Sequence, residues 1–285
     1  MFALWSKAWR EVRWQLIGSV VLMIGFHWIR VWIISLFPMR QFQRLLGYVP
    51  DAFLPLLPVP KEQLASVAGR IAIAYDDPLP MITLAAWAIG RGSDSVAGEM
   101  GRGTMELLLA QPVRRLSIIG IQAVVTTLGS ALIAYAMWVG TLLGIGTVTL
   151  EDVVSPKLFL PVALNAFAVG YFLAGLTSLI SSFGRFRSRV IGLMAVYFAV
   201  SMLLKVVGLV QPELHWLLHG SFLTAYEPQI LVADPGFAWS WTVPNGMEGW
   251  RWGGLSYQGI LLALGTLFYG VAVTHFCRRD VPAPL

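Results

Sequence analysis

Apolar residues gather into six stretches, at about 16–37, 79–96, 116–145, 158–183, 190–210 and 258–277, and polar residues crowd the intervals. About 20 helical residues cross a hydrocarbon core of about 30 Å, so each stretch reads as a transmembrane helix. The second is the least regular. Its unbroken apolar run, 80–90, is short. Arg91 and Asp94 follow it one turn apart, where they can pair. It is counted as a span because the charge distribution described below requires it. The pattern predicts an all-α membrane protein with six transmembrane helices, one domain over 1–285, with no internal repeat or low-complexity tract.

Composition strengthens that reading. Hydrophobic residues make up 57% of the 285 and charged residues 12%, against roughly 25% charged in soluble domains. Mean hydropathy is +0.70. A water-soluble fold of this size could not hide so much apolar surface, so the solvent is lipid. The single cysteine, Cys277, excludes an intrachain disulfide. The basic start before an apolar run resembles a signal peptide, but 16–37 is too long for one and no small-residue cleavage site ends it. A retained first span is expected.

Charge orients the spans. With both termini in the cytoplasm, the inner segments hold Lys7, Arg10, Arg13, Arg91, Arg102, Arg114, Arg115, Arg185, Arg187, Arg189, Arg278 and Arg279. These are 12 of the 20 basic residues, with only five of the 15 acidic ones: Glu11, Asp94, Glu99, Glu106 and Asp280. The basic excess on short inner segments is the expected bias. Trp5, Trp9, Val12 and Leu16 recur at helical spacing, with Lys7, Arg10 and Arg13 elsewhere on the wheel. Residues 1–15 therefore read as an amphipathic interfacial helix on the inner leaflet, or as an ordinary flank of the first span. The outer segments are 38–78, marked by prolines, and 211–255. The second carries Trp216, Trp239, Trp241, Trp250 and Trp252, which suit the outer headgroup layer.

Little in the chain suggests catalysis. No lysine follows a glycine, which excludes the phosphate-cradling Gly-Lys loop, and no nucleophile elbow or zinc-protease motif occurs. His215 and His219 stand four apart and would share an α-helical face, with Glu213 and Glu227 as the nearest further ligands. An interfacial polar pair is the plainer reading, and no metal is expected. Polar residues inside spans mark a pathway or a subunit contact, and His27, Arg30 and Asn165 are the candidates. Arg30, near the outer end, can instead snorkel beside Trp28 and Trp32, as can Lys205 in the fifth span. Gly140 and Gly144 are spaced for close helix contact.

The stretch GEMGRGTMELLLAQPVRR, 98–115, lies between the second and third spans. On one helix, Glu99, Arg102 and Glu106 would line a face, with Arg102 able to pair with both carboxylates. Met105, Leu108 and Leu109 would form an apolar patch, Gly98, Gly101 and Gly103 would loosen the backbone, and Pro112 would end the helix. Such a segment suits docking into a groove on another protein, or contact with lipid headgroups alone.

The run SDSVAGEMGRGTMELLLAQPVRRLSIIGIQ resembles the membrane subunit of type-two ABC transporters, in the group whose ATPase is a separate chain. Glu99, Gly103, Thr104, Glu106, Leu107, Leu108, Leu109, Pro112 and Arg114 fill that pattern, and the ending HFCRRDVP, with Phe276, Arg278, Arg279 and Asp280, is similar to the family's. The resemblance implies a permease subunit of an ATP-driven transporter, of export type, in the bacterial inner membrane, with a short cytoplasmic coupling helix over 98–112. It implies a cytosolic ABC ATPase as partner, with ATP and magnesium on that partner and no cofactor in this chain. A second permease chain, identical or homologous, would complete the pathway within membrane lipid, and nucleic acid has no part. The competing expectation is a non-transporting scaffold or sensor that recruits a cytosolic protein through the same segment.

Overall fold

The computed structural model describes residues 2–234, apart from 49, 51–55, 58 and 113, together with 256–279. Trp239, Trp241, Trp250, Trp252 and Asp280 lie outside the described residues. Helices account for all the regular structure among the described residues.

The first helix, α1, runs unbroken over Phe2–Leu36. It stops where Phe37 meets Pro38, because the residue before a proline is pushed out of the α region. The segment expected as an interfacial helix over 1–15 is thus continuous with the first span, with no break between them. Trp5 and Trp9 are exposed while Ala8, Val12 and Leu16 are buried. The buried stripe continues through Met23, His27 and Val31, so one straight face serves both the basic start and the span. That face packs on α8, Arg115–Thr147. The contact is close because Gly140 and Gly144 have no side chains. A Cβ on Gly140 would come within 2.5 Å of the Ile24 carbonyl oxygen, and one on Gly144 within 2.6 Å of Val31 Cβ.

Between these helices residues 38–78 hold α2, Met39–Gly47, α3, Lys61–Ala65, and α4, Val67–Asp76. The Ser66 hydroxyl caps α4 by accepting the Gly69 N–H. Next comes α5, Pro78–Ser93, with Pro78 in its first turn. After α8 come α9, Leu160–Phe183, entered through a 3₁₀ turn at Pro156–Phe159, and α10, Arg187–Val210.

Among the described residues five helices are long and apolar enough to cross a membrane, at Leu4–Leu36, Arg115–Thr147, Pro156–Phe183, Arg187–Val210 and Tyr257–Arg278. The expected second span is not among them, since α5 is 16 residues long and ends in charge. It nonetheless joins the two ends of the bundle. Asp77, before α5, lies 2.9 Å from Arg30, and Arg91, near its end, lies 3.8 Å from Glu11. On α1 those two partners are separated by about 28 Å of helix rise. The core of the bundle forms where α5, α8 and α9 meet. There Trp87 lies against Gly129, and its indole N–H donates to the Thr126 carbonyl at 2.9 Å.

At the end of the bundle opposite Lys7, a 3₁₀ helix, Pro212–Gly220, is followed by a short 3₁₀ turn, Phe222–Ala225, and by α11, Pro228–Ala233. Residues 221–229 are all buried. The last helix, α12, Tyr257–Arg278, packs on α9, with Gly265 against Gly175. The four segments expected on one side converge. Lys7 meets Glu99, Arg187 meets Ser93, Arg279 donates to the Ser182 carbonyl, and Arg115 donates to the Arg279 carbonyl. This is called the basic end below.

Candidate functional site

The site grows out of the last turn of α5. Residues Asp94–Gly98 form a π-helical turn, which leads into α6, Glu99–Gly101. Gly103 then takes φ 71°, a left-handed conformation open to glycine, and α7, Thr104–Leu109, sets off in a new direction. The expected single helix over 98–112 is therefore broken. Glu99, Arg102 and Glu106 do not line one face.

The break reassigns the charges. Arg102 donates to Asp94 Oδ1 at 2.7 Å and to Glu99 Oε1 at 3.1 Å, so its second carboxylate is Asp94 in place of Glu106. Lys7 donates to the same Glu99 oxygen at 2.8 Å, and the Thr104 hydroxyl donates to the other. Arg91 lies 3.6 Å from Asp94 Oδ2 and donates to Gln122 Oε1 at 2.8 Å. Arg187 approaches Asp94 Oδ1 at 3.8 Å.

Burial decides what each charge can do. Glu99 is 1% exposed, and a carboxylate there is tolerable only when paired and hydrogen-bonded. Burial alone would raise its pKa. The hydrogen bonds from Lys7 and Thr104, with the charges of Lys7 and Arg102, outweigh burial and hold the group below the usual glutamate value. The hydrogen bond to Asp94 raises Arg102, against a smaller opposing effect of burial, and the charges of Asp94 and Glu99 add to the rise. Glu99 stays ionised and fixes the start of α1 to the segment below α5.

The apolar residues divide in two. Met105 is buried with Val96, Ile119, Ala272 and Phe276, and Leu109 packs on that cluster. Leu108 lines a small cavity beside Leu4, Lys7 and Glu99. Leu107, by contrast, is 69% exposed, and Glu106, Pro112 and Arg114 are exposed beside it. Of the residues singled out from the sequence, Glu99, Arg102 and Thr104 thus shape the turn from within. Gly103, Glu106, Leu107, Pro112 and Arg114 form its outer surface. Among the described residues Glu106 has no ion pair within 4.0 Å.

Sequence reasoning placed Lys7, Asp94, Arg91 and Arg187 on this side but did not assign them to the site. Ser181 was missed altogether. Its hydroxyl accepts the N–H groups of Val96 and Ala97 at 3.3 and 2.9 Å and donates to the Ser93 carbonyl at 3.1 Å. The one usable signal was a charge pattern, since Arg91, Asp94 and Arg187 lie at span ends and Lys7 lies in the basic start before the first span.

The other candidates do not form a common site. His27 is buried, holds the Met23 carbonyl oxygen at 3.0 Å and lies against the Tyr75 ring. Arg30 is half-buried with Asp77. Asn165 is a clamp: its amide donates to the Ala225 carbonyl at 2.9 Å, and its oxygen accepts the Glu227 N–H. Lys205 does not snorkel. It pairs with Glu227 at 2.8 Å and donates to the carbonyls of Leu223 and Tyr226, because the folded segment 221–229 brings acceptors to it. His215 and His219 stand on a 3₁₀ helix, where residues three apart align and residues four apart do not. No three metal-binding side chains converge among the described residues.

A family described as ABC-2 family transporter protein matches residues 15–281. No curated protein and no solved structure matches the chain.

Proposed function

The chain belongs to the ABC-2 family of transporter proteins, and from that premise we propose that it is the permease subunit of an ATP-driven exporter whose turn at 94–114 docks a separate ATPase. The family makes it a multi-pass membrane transport component and implies an ABC ATPase as partner. The finer reading is that ATP and magnesium act on that partner and not on this chain. A second permease chain completes the pathway, α5 is the sixth crossing, the basic end faces the cytoplasm, and the membrane is a bacterial inner membrane.

One observation carries the docking role. A charged turn projects Glu106 and Leu107 from the basic end while the buried carboxylates Asp94 and Glu99 brace it from within. An exposed leucine beside an unpaired carboxylate supplies an apolar anchor and a charge at one point. Rigid bracing lets a push on the turn reach α1 and α5, and the push works only if the contact has more than one stable arrangement.

The test separates surface from brace. Glu106→Lys combined with Leu107→Asp should abolish co-purification of the cognate ATPase from detergent while leaving the thermal midpoint of the permease unchanged. Retention of the ATPase with unaltered stimulated hydrolysis would remove the docking role.

A further inference from the structure

Resting on the permease reading, we propose that Ser181 is a positioning residue through which the docking turn moves α9, so that the fourth span, with α5, carries the ATP-driven displacement across the membrane.

A π-helical turn lengthens the backbone hydrogen-bond register and leaves N–H groups that the following α-turn cannot use, and such turns recur at functional sites. The turn Asp94–Gly98 is wholly buried, where an unpaired N–H is costly. Two of its N–H groups, on Val96 and Ala97, are taken by one side-chain oxygen from another helix, Ser181 Oγ. The same hydroxyl gives its proton to the Ser93 carbonyl. A serine hydroxyl offers one donor and two acceptor positions, and here all are spent on this one turn of backbone.

The neighbouring contacts point the same way. Two residues before the π segment, Gly92 touches α9 so closely that a Cβ would come within 2.7 Å of Thr177 Cβ and 3.1 Å of the Ala174 carbonyl oxygen. The next residue of α9, Ser182, faces α12. It meets His275 Nδ1 at 3.1 Å, and its carbonyl accepts from Arg279. Arg279 in turn accepts from Arg115 at the start of α8. Two adjacent serines therefore join the docking turn on one side to α12 and α8 on the other. A displacement of the turn cannot leave α9 in place without breaking the Ser181 bonds.

The permease–ATPase complex in nanodiscs tests this. In a Cys277→Ser background, a bimane on Lys157→Cys, in the 3₁₀ turn that enters α9 at its far end, reports movement when magnesium ATP and vanadate are added. The parent protein should show an emission shift. Ser181→Ala should keep the ATPase bound yet lose the shift, and Ser181→Thr, which keeps the hydroxyl, should restore it. A full shift in Ser181→Ala, or no shift in the parent protein with ATPase bound, overturns the role. If Ser181→Ala does not fold, failure of Ser181→Thr to show the shift while still binding the ATPase overturns it as well. Absence of the ATPase from the parent complex would instead defeat the permease reading, so the two failures are distinguishable.

Discussion

Helices α9 and α10 are each 24 residues long, and the spans that contain them are both strongly apolar, with mean hydropathies of 1.8 and 2.3. Yet 72% of the most apolar stretch of the first is buried, against 17% of the second. Lipid solvates apolar side chains as well as a protein core does, so hydrophobicity does not draw a helix inward within a bilayer. What separates the two is size and shape. Gly170 and Gly175 let α9 approach Ser130 and Gly265, and its serines find backbone partners. In α10 only Val190, Met194, Ser201 and Gly208 are buried, and Leu193, Val196, Met202 and Leu203 are exposed.

The largest effect that tests this contrast comes from matched glycine substitutions. Gly175→Leu would drive its side chain into the Gly265 carbonyl, which already lies 2.6 Å from a Cβ there. It should cost about 3 kcal/mol or prevent folding. Gly192→Leu on α10 has nothing within 4 Å and should stay within about 0.5 kcal/mol of the parent. Unfolding free energies in detergent read both, and equal losses would break the comparison.

The charged anchor of α10, Lys205, comes next. Lys205→Met leaves Glu227 without its cation. It should cost about 2–3 kcal/mol, below the full penalty for a stranded buried charge because the pair keeps some solvent contact. The double variant Lys205→Met with Glu227→Gln should recover most of that loss, measured as a coupling energy.

Glu99→Gln should cost about 1–2 kcal/mol at neutral pH, where the parent carboxylate is ionised and hydrogen-bonded. The sign follows from the depressed pKa. The contribution is fully present above the ordinary glutamate value of about 4.3. It is lost as pH falls through the lower folded value. Thermal midpoints of parent and variant against pH should differ at neutrality and converge in acid. The smallest effect belongs to the exposed side of α10, where Leu203→Ala should change stability by less than about 0.5 kcal/mol.

The same division runs through the candidate site. The charged, glycine-broken character of 98–115 could be read directly, and so could the identity of Glu99 and Arg102 as a pair. The second partner of Arg102 could not. Helical periodicity pointed to Glu106, but the left-handed Gly103 ends that periodicity and turns Arg102 back to Asp94. The Lys7–Glu99 contact joins residues 92 positions apart, and no local pattern encodes it. Similarly, Lys205 reads as a snorkelling cation until the segment after α10 folds back over it.

What the chain determined without its fold is the set of apolar lengths, the bias of basic residues toward one set of connections, and the signature segment after the second apolar stretch. These are properties of consecutive residues, which the cost of placing backbone and charge in hydrocarbon reads along one dimension. The tertiary structure alone decided which helix became central, that residues 2–15 and the first span form one continuous helix, and which cations meet which carboxylates. Those outcomes depend on the approach of small side chains and hydrogen-bonding groups from distant helices, and distance in sequence carries no record of it.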